Sequence, residues 1–488
     1  MTTVDSSEST VETGKLRGQL GALAIVLMVI AAAAPLSVLG GIVPLGLIMG
    51  NGVGLPVLFL VGGAILLVFA VGFTHMTKHV PRSGAFFHYI SAGLGRPPGL
   101  VAAWISIFSY LSVEVGLIAQ ISSVLADTVA RVAGPQLHWG IYALLTAACV
   151  GTLGYRRIDL STKVLGVVLS GEVLIIAVLS VAVLYTGGAE GLTLSTFGWD
   201  HVFAGAPIIG LMFCLNAFTG FESTAIYRDE TKNPDTAIPR ATYAAVLIVG
   251  IFYTFSSWMM IMAWGPHQVI DAASAHPTTL IIETTAAYLG PVGVVAINIL
   301  LLTSVFAAIL SFHNVVARYF HVLGNSGMLP RALGQAHRRH GSPHRASVTT
   351  SIITASVIVL CAACGLTATQ VLGWSAGDAT VGIIVLMAAT ALSVVVFFRR
   401  TKLSTSRWQA FIAPSLAFVT LSLIAIVIMM NYPLLVGETD AAGQPEFGPI
   451  STTLLLMMLP FIILGLVQAV VLKRRNPKAY AAITTLDG

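Results

Sequence analysis

The sequence is dominated by repeated apolar stretches of about 20 residues, the length that crosses the hydrocarbon core of a bilayer as a helix. Only 9% of the 488 residues are Asp, Glu, Lys or Arg, against about 25% in a typical soluble domain. So few charges cannot cover a surface that faces water. Backbone N–H and C=O groups in lipid need partners within the protein, so we expect an all-α integral membrane protein.

Twelve apolar stretches are predicted to be transmembrane helices. They lie near residues 21–49, 54–75, 98–126, 138–154, 160–186, 203–227, 240–264, 291–320, 347–366, 370–398, 409–432 and 450–472. The polar N-terminus has neither a basic region nor a cleavage site typical of a signal peptide. The predicted organisation is a disordered cytoplasmic tail (1–18), a ten-helix core (19–400), helices 11 and 12 (401–472) and a cytoplasmic tail (473–488).

The positions of Lys and Arg predict the orientation. With the N-terminus in the cytoplasm, every Lys and Arg except Arg131 falls on the cytoplasmic side, as the positive-inside rule requires. The basic residues therefore report topology and do not form a face for nucleic acid. We expect a multi-pass protein of the plasma membrane with both termini in the cytoplasm. The predicted outer loops are acidic and contain Glu190, Asp200, Asp271, Glu438, Asp440 and Glu446.

The first and sixth predicted spans contain residues that interrupt a helix. Pro35 lies in the middle of span 1, where it removes an N–H and is suited to begin a new half-helix. Gly220 lies among polar residues in span 6. Interrupted helices at matching positions of two halves indicate the binding site of a transporter. Two simple kinks are the alternative, since Gly and Pro are common in membrane helices.

Three longer motifs favour the transporter. Residues 74–89 (THMTKHVPRSGAFFHY) resemble the loop after the second span of the amino acid–polyamine–organocation superfamily. Residues 218–222 (FTGFE), with 229–234 (DETKNP) and 238–240 (IPR), are similar to its sixth span and following loop. Residues 311–319 (SFHNVVARY), with 324–330 (GNSGMLP), are similar to its eighth span and exit loop. The resemblance covers roughly residues 20 to 400.

The resemblance implies the LeuT-type fold: two inverted repeats of five helices with helices 1 and 6 broken, plus two C-terminal helices. It also implies a permease for an amino acid or related amine, not an enzyme, with the substrate held at the two breaks. Alanines and Pro35 stand where the family has a Gly-x-Gly break, and Phe218 and Phe221 are candidate aromatic gates. The residues implied to bind substrate are Ala33, Ala34, Pro35, Ser37, Asn216, Phe218, Thr219, Gly220 and Phe221.

Acidic residues inside the predicted spans are candidates for ion coupling, since a carboxylate there needs a partner, a proton or a cavity. Glu114 and Glu172 lie near the middle of spans 3 and 5. Glu172 falls near the position where some proton-coupled relatives have a lysine. We expect coupling to H⁺, while Na⁺ remains possible through Ser304 and Ser311, beside which no carboxylate is evident. Glu222 could pair with backbone at its break, and Asp378 is expected near the outer surface.

Other functions are less consistent with the sequence. Cys361 and Cys364 have the spacing of a redox or metal pair, but they lie in an apolar span, where packing is the simpler explanation. No cofactor and no metal site are predicted. An exchanger of the same fold is the main alternative to an ion-coupled importer. A sensor is a third possibility, and we expect one to carry an added soluble domain. The substrate and the oligomeric state are not predicted.

Overall fold

The described part of the chain is helical. The computed structural model describes residues 21–80, 85–131, 134–135, 137–156, 162–222, 224–225, 231–325, 327–337, 342–403 and 405–483. An isolated β-bridge joins Thr439 and Pro445. Nine of the described helices are long and apolar enough to cross a membrane. The expected all-α membrane class is therefore confirmed, whereas the predicted N-terminal tail and the motif residues 81–84, 229 and 230 lie outside the described residues.

The described helices of seven or more residues are labelled α1 to α16, and shorter helices lie at Trp199–Val202, Tyr432–Val436 and Pro477–Ala482. The first seven are α1 (Ala22–Ala33), α2 (Pro35–Met49), α3 (Leu55–Thr77), α4 (Ala85–Leu94), α5 (Arg96–Arg131), α6 (Trp139–Arg156) and α7 (Thr162–Thr186). The next five are α8 (Pro207–Ala217), α9 (Pro234–Trp264), α10 (Val269–Ala275), α11 (Leu280–Asn325) and α12 (His344–Ala363). The last four are α13 (Ala368–Thr401), α14 (Ala413–Met430), α15 (Pro449–Leu456) and α16 (Leu459–Arg475).

The chain is interrupted at both positions that the sequence indicated. Helix α1 ends at Ala33, and Ala34 adopts a left-handed conformation with φ of 44° before Pro35 begins α2. A left-handed alanine costs roughly 1–2 kcal/mol, so the surrounding structure must hold it in place. Helix α8 ends at Ala217, and Gly220 follows with φ of 110°, which a residue with a side chain rarely adopts.

Helices α5 and α13 lie at the centre of the molecule, where they pack along each other and are the most deeply buried of the long helices. The stretch 449–475, which contains α15 and α16, is the least buried. Most of its exposed side chains are apolar and are expected to face lipid, which is as apolar as leucine itself. They include Leu456, Ile463, Leu466 and Val470.

Small residues bring helix backbones into direct contact. A Cβ atom on Gly93 in α4 would lie 2.6 Å from the Cα of Ser393 in α13. A Cβ on Gly50, just after α2, would lie 2.6 Å from the Cα of Gly210 in α8. Close backbone approach at small residues is a main source of helix association in membranes. These glycines therefore set the close spacing of α4 to α13 and of the end of α2 to α8.

The Gly93→Ala variant should be less stable than the parent, because the added methyl group must displace the backbone of α13. Overpacking of this kind typically costs about 1–3 kcal/mol. Gly166→Ala in α7 is the matched control, since no atom lies within 4 Å of a Cβ at that position. Thermal unfolding in detergent measures both. Equal melting temperatures for the two variants would show that the contact at Gly93 yields easily.

Candidate functional site

The two helix breaks meet at one cavity inside the protein. Its wall is built from α1, α2, α5, α8, α11 and α13. Five of the nine residues that the resemblance implied as substrate-binding line it, namely Ala33, Ala34, Ser37, Asn216 and Thr219. The rest of the wall consists of Val38, Ile42, Ser112, Val113, Gly116, Leu117, Ala217, Ala308, Phe312, Leu372 and Ala376.

A buried glutamate caps the helix that begins at the first break. The backbone N–H of Leu36 donates to Oε2 of Glu172 across 3.2 Å. Glu172 lies on α7 and is 3% exposed. Pro35 has no N–H, so Leu36 provides the first donor of α2, at the end where the helix dipole is positive. An acidic residue therefore suits this position electrostatically.

Two further residues bind the freed groups around the first break. The Tyr253 hydroxyl donates to the carbonyl of Ala33 at 3.2 Å. The Ser37 hydroxyl donates to Oε1 of Gln120 at 2.6 Å, and Nε2 of Gln120 donates to the Ser37 carbonyl at 2.7 Å. Sequence reasoning missed Gln120, although a glutamine in the middle of an apolar span signals a buried partner. The Ser37 hydroxyl, expected to donate to a ligand, already donates to Gln120.

The second break is also held by a carboxylate. The N–H of Gly220 donates to Oε2 of Glu222 at 3.0 Å, and the Tyr110 hydroxyl donates to Oε1 at 2.6 Å. Glu222 is fully buried. This arrangement ties the segment after α8 to α5. Glu222 therefore pairs with backbone at its own break, as the sequence suggested.

Two polar groups of the cavity wall remain available to a ligand. The Thr219 hydroxyl is buried and has no hydrogen-bond partner among the described residues. The Asn216 side-chain N–H₂ donates to the carbonyl of Ala376 at 3.2 Å and to the Thr380 hydroxyl at 2.9 Å. Its amide oxygen has no donor within the described part of the chain. A buried polar atom without a partner is costly, so a ligand or water is expected to satisfy the Thr219 hydroxyl, and the oxygen of the half-buried Asn216 can accept from the same ligand.

The two candidate aromatic gates lie outside the cavity wall. Phe218 fills the space beside Gly62, Gly63 and Gly250, where its ring atoms would lie 3.5–3.7 Å from a Cβ atom built on each of those glycines. Phe221 packs against the rings of Phe69 and Phe73, at 6.0 and 6.5 Å between centroids. Pro35 and Gly220 shape the breaks but do not line the cavity.

The aromatic ring in the described wall belongs to Phe312 of α11. It stacks on Tyr110, with 6.0 Å between the ring centroids and 27° between the ring planes. Tyr110 in turn donates to Glu222. The ring that faces the cavity is therefore linked to the second break, a role the sequence motif around residue 312 did not reveal.

The other coupling candidates divide into two places. The Ser304 hydroxyl is buried next to the Glu172 carboxyl, although it makes no hydrogen bond of good geometry within the described chain. The expectation that no carboxylate accompanies Ser304 is thus wrong, because α7 and α11 pack side by side. Ser311 is half-buried and has no hydrogen bond to another described residue.

Glu114 belongs to a separate buried cluster. Its Oε1 lies 2.9 Å from Nδ1 of His313, whose Nε2 lies 3.0 Å from the Ser347 hydroxyl. Glu114 and His313 are each 1% exposed. The cluster connects α5, α11 and α12, and none of its members lines the cavity.

Asp378, which was expected near the outer surface, is buried and not open to solvent. Its side chain on α13 accepts a hydrogen bond from the Tyr432 hydroxyl at 2.5 Å, and Asp378 is 8% exposed. Tyr432 belongs to a short helix after α14, Tyr432–Val436. This segment covers the carboxyl, which the local sequence around residue 378 could not indicate.

Comparisons with known proteins agree with this architecture. A family model described as amino acid permease matches residues 19–445. A branched-chain amino acid permease of Bacillus subtilis is 24% identical over 315 residues, 61% of this chain and 65% of that protein. A low-affinity putrescine importer of Escherichia coli is 23% identical over 340 residues, 67% of this chain and 72% of that protein. A serine/threonine exchanger of Bacillus subtilis is 23% identical over 245 residues, 49% of this chain and 54% of that protein.

The Thr219→Val variant should bind its ligand more weakly while remaining at least as stable. Valine keeps the shape of threonine but removes the unpartnered hydroxyl, so folding loses no hydrogen bond. A hydrogen bond to a charged ligand group contributes about 1.5–3 kcal/mol, which corresponds to about 10- to 100-fold in affinity. Thr219→Ser, which retains the hydroxyl, should stay close to the parent. Equal ligand affinity for Thr219→Val and the parent would remove Thr219 from the binding site.

Proposed function

The chain belongs to the amino acid permease family, and on that premise we propose that it is a secondary active transporter. It carries an amino acid or a related amine across the plasma membrane by alternating access. The observation that carries this proposal is that two interrupted helices meet at one cavity with unpartnered polar groups. Interrupted helices place dipole ends and freed backbone groups at a substrate site in the middle of the membrane.

We further propose twelve transmembrane spans with both termini in the cytoplasm. Nine long helices account for nine spans. Helix α1 with α2, helix α6, and helix α8 with the residues after it supply the other three. The first ten spans then form two inverted repeats of five, in which the broken helices are the first of each repeat. The distribution of Lys and Arg supports this count, since it alternates with twelve spans.

Coupling to protons is proposed to act through Glu172. The carboxylate and a substrate carboxylate are both attracted to the positive end of α2, and two negative charges there repel each other. Protonation of Glu172 removes this repulsion and weakens its bond to the N–H of Leu36, so proton and substrate bind together. One charge crossing about 100 mV supplies about 2.3 kcal/mol, enough for roughly 50-fold accumulation of a zwitterion.

Exchange is the second candidate function, because a serine/threonine exchanger is among the relatives. Purified protein in liposomes distinguishes the two. An ion-coupled importer accumulates substrate in empty liposomes under an imposed gradient, whereas an obligatory exchanger requires substrate on the inner side. Sodium coupling is tested in the same assay by replacing Na⁺ with choline, since Ser304 beside Glu172 offers a cation two oxygen-bearing side chains.

The proposed topology predicts the accessibility of single cysteines in intact cells. In a background without the four native cysteines, Ala442→Cys in the exposed loop before α15 should react with a membrane-impermeant thiol reagent. Ser6→Cys should react only after the cells are permeabilised. Reaction at Ser6 in intact cells, or protection at Ala442, would place the termini on the other side.

The Glu172→Gln variant should lose accumulation driven by a pH gradient and keep counterflow exchange. Glutamine retains the shape and can still accept from the N–H of Leu36, but it cannot take up a proton. The measurement is uptake into proteoliposomes at equal internal and external pH, and then with an acidic exterior.

Glu446→Gln provides the control, because Glu446 is exposed in the loop before α15. It should respond to the pH gradient as the parent does. A Glu172→Gln protein that still accumulates substrate under the pH gradient would show that Glu172 does not carry the proton.

A further inference from the structure

The cavity wall is neutral throughout its described residues. Its polar side chains are Ser37, Ser112, Asn216 and Thr219. No Asp, Glu, Lys, Arg or His is among the described residues that line it. The polar groups can therefore accept or donate hydrogen bonds, but they cannot neutralise an additional charge on a ligand.

The two buried carboxylates that are hydrogen-bonded to the breaks are not part of this wall. Glu172 accepts from the N–H of Leu36, behind the start of α2. Glu222 accepts from the N–H of Gly220 and from the Tyr110 hydroxyl. Both carboxylates accept hydrogen bonds from backbone N–H groups at the breaks, and neither of them lines the cavity.

The rest of the wall is apolar. Branched side chains come from Val38, Ile42, Val113, Leu117 and Leu372, and Phe312 adds an aromatic ring. An aliphatic side chain placed among these groups gains about 0.8 kcal/mol for each CH₂ removed from water. A polar or charged side chain loses its hydration at the same place without receiving a partner for its charge.

From this wall, and resting on the proposed transport function, we infer that the substrate is a zwitterionic amino acid with a small or branched apolar side chain. Its ammonium group is placed at the C-terminal end of α8, where the buried Thr219 hydroxyl has no partner among the described residues, the half-buried Asn216 lines the cavity and the helix dipole is negative. The side chain lies against the apolar wall. Polyamines and amino acids with charged side chains are rejected, because their second charge would be buried alone.

The size of this discrimination follows from the cost of an uncompensated buried charge. Removing one partner of a buried ion pair typically costs about 3–5 kcal/mol, which corresponds to a factor of at least about 100 in affinity. Lysine and putrescine should therefore compete at least about 100-fold more weakly than leucine or alanine. Glutamate should compete as weakly as lysine, since the wall offers no basic side chain either.

The test uses the purified full-length protein in liposomes. Counterflow of radiolabelled leucine and of radiolabelled alanine is measured with unlabelled valine, lysine, glutamate and putrescine as competitors, and uptake of radiolabelled putrescine is measured directly. Competition by valine alone supports the inference. Transport of putrescine, or competition by lysine or putrescine equal to that of valine, overturns the substrate class and leaves the transport function intact. Absence of transport of every solute overturns the proposed function as well.

A substitution that adds a negative charge to the cavity wall provides a second test of the inferred selectivity. Ser112→Asp places a carboxylate in the wall of α5, where the serine hydroxyl now donates only to the carbonyl of Phe108 at 3.0 Å. This variant should lose leucine affinity by at least about 10-fold and gain competition by putrescine and lysine, because the second ammonium then has a partner. Ser112→Asn, of the same shape but neutral, should not gain it. If Ser112→Asp folds and its competitors rank as in the parent, charge in the wall does not set selectivity.

Discussion

The structure depends on how backbone groups are paired where two helices break inside an apolar environment. A helix satisfies its own N–H and C=O groups, and each interruption exposes several of them where no water can compensate. At the first break the Leu36 N–H is bound by Glu172 and the Ala33 carbonyl by Tyr253. At the second, Glu222 binds the Gly220 N–H. These side chains satisfy backbone groups that the breaks expose, and the cavity lies between the two breaks.

The same contacts connect the helices around the cavity to one another. Helix α2 is joined to α5 by the paired hydrogen bonds of Ser37 and Gln120, and to α7 through Glu172. Helix α8 is joined to α13 through Asn216. The proposed alternating access requires some of these bonds to break and re-form, since each of them joins two different helices. Proton uptake at Glu172 would loosen one of them without altering the cavity wall, because Glu172 lies outside that wall.

Local signals in the sequence predicted the positions of the helices and of the breaks, but not their partners. Apolar length predicts a span, and Pro35 and Gly220 predict interruptions because their backbone preferences are intrinsic. Leu36 and Glu172 are separated by 136 positions, so their contact follows only from packing. Phe218 faces away from the cavity because glycines on α3 and α9 leave room for its ring. The motif that contains Phe218 cannot indicate that space.

The described wall of the cavity is neutral, whereas the buried carboxylates Glu172 and Glu222 lie outside that wall. A proton carrier in direct contact with the substrate would place a charge in the wall and would bind cationic solutes when deprotonated. Glu172 is instead hydrogen-bonded to the backbone of Leu36. Leu36 lies in the chain between Ala34 and Ser37, which both line the cavity. Its charge can therefore control the end of the helix without offering a counter-ion to the substrate. The proposed coupling to a cation and the inferred selection of a neutral side chain are therefore compatible within one site.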